Sequence, residues 1–410
     1  MNIEEIISEF HKDELPQIID RELEIPLDLP KIIAIIGIRR CGKTYLLYQV
    51  IKELRKTIKK EEIFYINFED ERLSDFSVED FSKINELYFK LNPKSTKIYM
   101  VFDEIQNINH WQKFLRRIID KGNYRIFITG SSSKLLSKEI ATSLRGRTLS
   151  FSLLPFSFRR FLTAKNFEIP DVDASTEKER GIIKKFLEEY LHFGGFPEIV
   201  NYDKNLKIKT LKSYWDLIIY RDLVERYNIK NIRAFKYLMR LVVESSAKEV
   251  SIRNIYNFMV SQKVRVSKTK TYEYFSFLED INFVFPIRKF SFKFKAVEGS
   301  IPKLYVCDTG FINLFDRETI GRKMENLVAT ELIRRTVYEN ELQKIHYWRD
   351  YSGLEVDFVI SENHEVKELI QVCYEINFKT RKRELDALIK ASGELKCENL
   401  LVVTWDYEGE

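Results

Sequence analysis

The sequence predicts an α/β fold built around a parallel sheet, and three stretches predict it. An isoleucine-rich run, Lys31 to Ile36, passes straight into G-I-R-R-C-G-K-T; a second, Lys97 to Glu104, ends in paired acids; a third, Tyr124 to Ile128, ends in T-G-S-S-S. Each is short, continuous and apolar, the mark of a strand covered by helices on both faces.

After the first run, Gly37 and Gly42 allow a tight loop through Ile38, Arg39, Arg40 and Cys41 whose backbone N–H groups can point at phosphate oxygens. From Tyr45 to Leu54, the residues Leu46, Leu47, Val50, Ile51 and Leu54 recur at helical spacing, so the loop opens onto a helix N-terminus, a ready anion site. This is the G-x-x-x-x-G-K-T pattern of a P-loop NTPase: Lys43 is expected to reach the β and γ phosphates of ATP, and Thr44 to offer its hydroxyl to Mg²⁺.

The second run supplies Asp103 as the metal-holding carboxylate and Glu104 as the group that activates water, because one carboxylate cannot coordinate the ion and polarise the nucleophile together. An amphipathic segment, Trp111 to Ile119, leads to the third run. Hydroxyls at its end can feel the γ phosphate, which makes Ser131, then Thr129, sensor candidates; a plain polar turn is the other reading. The following S-L-R-G-R sets Arg145 and Arg147 beyond a helix. They are either solvated surface or an arginine donated to a neighbour's site, Arg147 before Arg145.

Composition bounds the rest. A chain of 410 residues exceeds one typical core, so two to four domains are expected. Apolar residues at 44% and charged residues at 31% describe a folded protein rather than a disordered or membrane chain. The apolar stretch at Ile32 stops at Arg39-Arg40, short of the roughly 20 residues that span a bilayer. The acidic start, with Glu4, Glu5, Glu9 and Glu14, lacks the pattern of a secretory signal, so a cytoplasmic protein with no membrane partner is expected. Cys41, Cys307, Cys373 and Cys397 stand far apart, which argues against a disulfide framework and a zinc knuckle. The net charge of +5 is small, so any nucleic-acid contact must come from a local patch.

With I-I-G-I-R-R-C-G-K-T, V-F-D-E-I-Q, I-T-G-S-S-S-K-L-L-S, S-L-R-G-R, L-P-F-S-F-R-R-F and F-G-G-F-P-E in order, the chain resembles the prokaryotic AAA-type ATPases, common in archaea, that carry a DUF4143-type C-terminal region. The match runs from about Leu15 to the final strand. The resemblance implies an AAA-type core at 1–165, a helical lid at 166–245, a winged-helix module at 246–298 and a restriction-endonuclease-like α/β domain at 299–410. Unfoldase activity borrowed from other AAA proteins would be fold-level analogy.

In the middle, Glu177 to Leu191 reads as an amphipathic helix stopped by Gly194-Gly195. Ser251 caps a helix over Ile252 to Val260 and Ser267 another from Lys268 to Leu278; two wing strands then follow at Ile281 to Ile287 and Phe290 to Phe294. Lys263, Arg265, Lys268 and Lys270 enter the second helix, while Arg288, Lys289, Lys293 and Lys295 fall on the wing. The cluster points to phosphate contacts with duplex DNA, against the alternative of a protein-docking face.

Restriction-endonuclease folds use a helix Glu, a strand Asp and an E-x-K. Glu325 and Asp357 match the first two, but Gln371 and Cys373 stand where Glu and Lys are required. A nuclease-like domain with little or no cleavage is therefore expected. The functional expectation is Mg²⁺-dependent ATP hydrolysis by a homo-oligomeric ring, a hexamer among its forms, coupled to duplex DNA. The alternatives are an ATP-gated signalling or defence switch or scaffold acting on a protein partner, and an ATP-regulated nuclease.

Overall fold

The structure is a computed structural model and describes residues 3–130, 144, 146–171, 175–315, 319–375 and 378–407, with the side chains of 378–381 excepted. The chain divides into two compact units, Met1–Phe156 and Ser157–Glu410. Ser131 and Arg145 lie outside the described residues. Among the described residues no helix is long and apolar enough to cross a membrane.

The first unit runs α1 (Ile3–Lys12), β1 (Ile32–Ile36), α2 (Lys43–Leu54), β2 (Ile63–Asn67), α3 (Phe81–Leu91), β3 (Ile98–Asp103), α4 (Trp111–Ile119), β4 (Tyr124–Gly130) and β5 (Thr148–Ser152). The strands form a sheet of order β2-β3-β4-β1-β5 with every pairing parallel. β1, β3 and β4 are buried along their whole length, as their unbroken apolar text requires. Alternate residues of these strands (Ile32, Ala34 and Ile36; Met100 and Phe102; Ile126 and Ile128) turn to one face and pack on α1, α3 and α4. Phe81 of α3 stacks on Phe114 of α4 with ring centroids 4.4 Å apart.

The second unit begins with α5 (Phe158–Ala164), α6 (Glu177–Phe193), α7 (Lys204–Leu217), which continues as a π-helical stretch Ile218–Glu225, and α8 (Ile232–Glu244). Thr176 and Glu179 form a capping box at the start of α6. Then come β6 (Lys248–Glu249), α9 (Ile252–Ser261), α10 (Lys268–Asp280), β7 (Val284–Ile287), α11 (Phe294–Glu298), β8 (Lys303–Val306), α12 (Thr309–Phe315) and α13 (Ile320–Tyr338). β9 (Gln343–Arg349), β10 (Glu355–Glu362), β11 (Glu365–Cys373), α14 (Phe378–Leu395) and β12 (Leu400–Thr404) complete it. Two sheets result, an antiparallel β6-β8-β7 and a mixed β12-β11-β10-β9. Ala329 and Leu332 of α13 pack with Phe358, Ile360 and Ile370, and Ala387, Leu388 and Ala391 of α14 pack with Val356, Val359 and Leu369. The mixed sheet is thus covered on both faces.

One element differs from the sequence reading. Phe290 to Phe294 is not the second wing strand: β7 pairs instead with β8, beyond the expected boundary at 298. The reason is local. Phe290 donates its N–H to the Tyr347 carbonyl (2.7 Å), and Tyr347 donates back to the Arg288 carbonyl (3.1 Å), which ties the chain to β9. Phe290 is buried, but Phe292 and Phe294 point out, so the alternation Phe290, Phe292, Phe294 marks no buried face.

The F-G-G-F-P text does more than stop α6. The Asp308 carboxylate accepts the N–H groups of Gly195 and Gly310, each at 2.8 Å. A Cβ on Gly194 would lie 1.6 Å from Asp308 Oδ1, so no other residue fits there.

Candidate functional site

In a parallel sheet every strand ends on the same edge, and the expected nucleotide residues gather there. β1 delivers the loop, β3 delivers Asp103 and Glu104, and β4, lying between them, delivers Thr129. The register sets Ile36 beside Gly130 and Ser152, so the loop packs on the end of β5. Leu153 donates to the Ile36 carbonyl at 2.7 Å, and a Cβ on Gly37 would meet Leu153 O at 2.3 Å. Gly42 is left-handed, at φ 101°, just before α2.

The loop's side chains divide by role. Ile38 and Cys41 are buried, and burial pushes the Cys41 thiol up, away from reactivity. The Lys43 ammonium is held by the carbonyls of Gly37 (3.2 Å) and Ile38 (3.4 Å). Arg39 meets Glu69 at 3.4 Å, Arg40 adopts φ 69°, and Tyr45 is half exposed. The first turn of α2 carries no acidic residue and no side-chain cap, so its N–H groups are offered to an outside acceptor.

Asp103 is the centre of a hydroxyl network. Its Oδ2 accepts from Thr44 Oγ1 at 2.7 Å and from the Tyr65 hydroxyl at 3.3 Å; its Oδ1 accepts from Thr129 Oγ1. Thr129 Oγ1 in turn accepts the Glu104 N–H at 2.8 Å. Burial raises the Asp103 pKa, against the downward pull of the Thr129 and Thr44 hydrogen bonds. Glu104 leaves the strand at φ 49°, a conformation rare outside glycine, and Gln106 donates to its carboxylate. The turn aims neighbouring carboxylates differently, Asp103 into the hydroxyls and Glu104 toward Gln106.

Arg147 is elsewhere. It precedes β5 and its carbonyl accepts from Ile32 N (2.9 Å), which puts it at the opposite edge of the sheet. A strand of this length separates the edges by about 16 Å. The guanidinium pairs with Asp120. Within one chain Arg147 does not share the Asp103 site.

Sequence reasoning missed Arg21. It is buried, donates to the carbonyls of Cys41 (3.2 Å) and Leu154, and lies 4.6 Å from the Phe156 ring centre, pinning the loop from behind. Nothing in the spacing of an isolated arginine signals this.

The second unit holds another carboxylate centre. Lys303, on β8, is buried, and its ammonium lies 2.9 Å from Glu325 Oε1, 2.9 Å from Asp357 Oδ1 and 2.5 Å from Glu355 Oε1. Tyr305 donates to Glu325 at 2.7 Å. Burial alone would lower the lysine's pKa, but the attraction of Asp357, Glu325 and Glu355 prevails and holds it charged. Burial, with repulsion from Asp357, pushes Glu325 up to about 7. Gln371 accepts the Asp357 N–H (3.2 Å) and donates to Glu384 (2.6 Å), while the Cys373 thiol donates to the Glu375 carbonyl (3.1 Å). Among the described residues, no group of three or more His, Cys, Asp and Glu side chains is placed to hold a metal ion. Cys373 thus stands at the β11 position where a lysine was sought, and a lysine from β8 sits among the acids.

Of the basic residues, Lys263, Arg265, Lys268 and Lys270 are exposed around the N-terminus of α10. Lys270 pairs with Glu273 at 2.6 Å. Arg288 is engaged with the carbonyls of Glu298 (2.9 Å) and Ser300 (3.2 Å), and the Lys289 N–H bonds Ser300 Oγ (3.1 Å).

A five-stranded parallel sheet with a glycine loop, a buried Thr–Asp–Thr network and an adjacent glutamate defines a P-loop ATPase. The comparisons agree: a family model described as an AAA domain matches residues 29–162, and domains of unknown function, DUF8612 and DUF4143, match 184–326 and 320–408. The chain belongs to the family of MJ1544 from Methanocaldococcus jannaschii, to which it is 43% identical over 398 residues, 96% of this chain and 86% of that one. A Haemophilus influenzae protein is 31% identical over 366 residues, 87% and 85% of the two chains. Similar solved structures include the Walker-type ATPase paby2304 of Pyrococcus abyssi (16% identity, TM-score 0.43, 70% of this chain and 91% of that one). Another is the Aeropyrum pernix ORC2 protein (13% identity, TM-score 0.42, 75% and 90%).

Proposed function

We propose that this ATPase works as a homo-oligomer that couples Mg²⁺-dependent ATP turnover to engagement of duplex DNA. The observation that carries the reading is the Thr44–Asp103–Thr129–Glu104 chain at the end of the sheet. Its donor set is hard oxygen, suited to Mg²⁺, and the uncapped start of α2 suits phosphate. Thr44 and Asp103 are the residues to hold the ion. Mg²⁺ bound there would neutralise charge on the transferring phosphoryl group.

The chain's own residues do the rest. Lys43 leaves its carbonyl partners for the β and γ phosphates. Glu104 accepts the proton of the attacking water. Thr129 fixes the Asp103 carboxylate and the Glu104 backbone together, so the two acids keep separate roles. Ser131 is proposed as a further sensor. Arg147, directed away from its own site, is the residue to complete a neighbour's, leaving Asp120 to do so.

We further infer that α8, β6, α9, α10, β7 and β8 form one winged-helix module over 232–306, with residues 288–302 as its wing. The four basic residues at the start of α10 support DNA as its partner. The acid centre of the second unit is proposed as an internal ion pair rather than a cleavage site, because Lys303 contacts its three carboxylates directly.

The test is ATPase rate at physiological salt with and without duplex DNA, using Lys43→Ala as the blank. Stimulation that disappears in Lys268→Ala/Lys270→Ala is expected. Turnover indifferent to DNA, with oligomers forming on ATP alone, would move the reading to a switch with a protein partner.

A further inference from the structure

The wing carries aromatic rings that the core does not use. Between β7 and β8 the text reads R-K-F-S-F-K-F-K. Its base is pinned: Arg288 bonds the carbonyls of Glu298 and Ser300, Lys289 bonds Ser300 Oγ, and Lys289 bridges to Tyr347 of β9. Phe290 turns inward and is 8% exposed, whereas Phe292 is 61% and Phe294 77% exposed. The Phe292 ring leans edge-on against Phe290 at 5.1 Å, so it stands on a fixed support. Phe292 lines two open clefts of about 470 and 750 Å³, the first also lined by Tyr351, which is fully exposed, and the second by Phe294 and His346.

Charge around the rings is unevenly balanced. Lys289, Lys293, Lys295 and Lys344 form no ion pair among the described residues. Of the acids on the cleft walls, Glu298 is met by Arg288 at 3.7 Å and Asp350 by Lys390 at 2.5 Å, which leaves Glu341 and Glu394. Exposed rings interleaved with unpaired lysines fit a chain of bases and phosphates. A closed duplex offers phosphates but hides its base faces in the stack, so it would use the lysines and leave the rings in water. An unpaired strand uses both.

We propose that the wing, through Phe292 and Phe294, binds single-stranded DNA by stacking on unpaired bases, with Lys293 and Lys295 on the adjoining phosphates. This rests on the reading that the module engages DNA, and it adds that the wing and α10 take different forms of it, unpaired and paired.

The experiment uses the full chain and fluorescence anisotropy at physiological salt. The probes are an end-labelled oligo-dT of about 20 nucleotides, an abasic strand of the same length, and the matching duplex. Wild type should bind oligo-dT about tenfold or more tightly than Phe292→Ala/Phe294→Ala does, with duplex affinity the same in both proteins. The abasic strand should bind wild type as weakly as oligo-dT binds the variant. Both side chains are exposed, so the variant should fold, and Phe292→Tyr/Phe294→Tyr should restore binding. Equal oligo-dT affinity in wild type and the alanine variant overturns the proposal. So does absence of oligo-dT binding, including the case where the alanine substitutions instead dissolve a self-association. Oligo-dT binding with the ring dependence but no duplex binding would remove the duplex reading and leave this one standing.

Discussion

Each unit buries an aspartate at a strand of its sheet, and the two differ in what answers the charge. Asp103 is surrounded by the hydroxyls of Thr44, Thr129 and Tyr65. Asp357 is met by the ammonium of Lys303, shared with Glu325 and Glu355. A hydroxyl satisfies an oxygen's hydrogen bond without cancelling its charge, and Lys43 acts on Asp103 only through its field, so the first site can accept the proposed Mg²⁺. An ammonium does both, so the second already contains one. On the function proposed above, similar carboxylates serve catalysis in one place and cohesion in another.

The largest effect expected is in the first unit. Glu104→Gln should lower ATP turnover on the order of 10²- to 10⁴-fold in a steady-state assay while nucleotide affinity stays. Full turnover would remove Glu104 as the base. Arg147→Ala should lose about 10³-fold by the same assay. Mixing it with Glu104→Gln should restore part of the rate, since some interfaces then pair an intact Glu104 with an intact Arg147. No recovery would argue against the role in trans.

In the second unit the matching change acts on stability. Lys303→Met strands three acids around a buried position and should cost about 3–5 kcal/mol in urea unfolding, with ATP affinity unchanged. Part of that loss should return on adding Mn²⁺, or at low pH where the carboxylates are neutral. A variant as stable as wild type would mean the ion pair contributes nothing.

Asp308 sharpens the contrast, for it accepts from backbone N–H groups and, among the described residues, no ammonium contacts it, Arg334 attracting it only through its field. Burial pushes its pKa up to about 7, against the downward pull of the Gly195 and Gly310 N–H groups. The unfolded chain ionises this group near about 3.9, so between about 4 and about 7 the folded state binds more protons and stability falls as pH rises. The contribution is full below that window, and its loss amounts to at most about 4 kcal/mol. In Asp308→Asn the pH slope in this window should flatten, although overall stability drops because an amide oxygen cannot replace both carboxylate acceptors.

The smallest effect expected is Thr129→Val, which leaves Asp103 one donor short and the Glu104 N–H unpaired. It should cost about 1–3 kcal/mol of stability and reduce turnover more than ATP binding, as a kcat and KM comparison would reveal. A change confined to KM would make Thr129 a binding residue only.

The first unit was readable because its signals are local. Unbroken apolar runs placed β1, β3 and β4, and the amphipathic segment Trp111 to Ile119 became α4. What the chain assembles from distant parts was not readable. Arg21 reaches Cys41 and Leu154, Asp308 reaches Gly195, and Lys303 reaches Asp357 across 54 positions, and no spacing rule links such pairs. The wing misled for a different reason. Alternating aromatics normally mark one buried face of a strand, whereas here the inner ring is core and the outer two are exposed.

The most direct test of the contrast between the two centres is Mn²⁺ binding to the full chain, followed by electron paramagnetic resonance with and without a non-hydrolysable ATP analogue. Binding that strengthens with nucleotide, is lost in Asp103→Asn and survives Asp357→Asn is expected. Nucleotide-independent Mn²⁺ that disappears only with Asp357→Asn would contradict it, and would make the second unit the metal site.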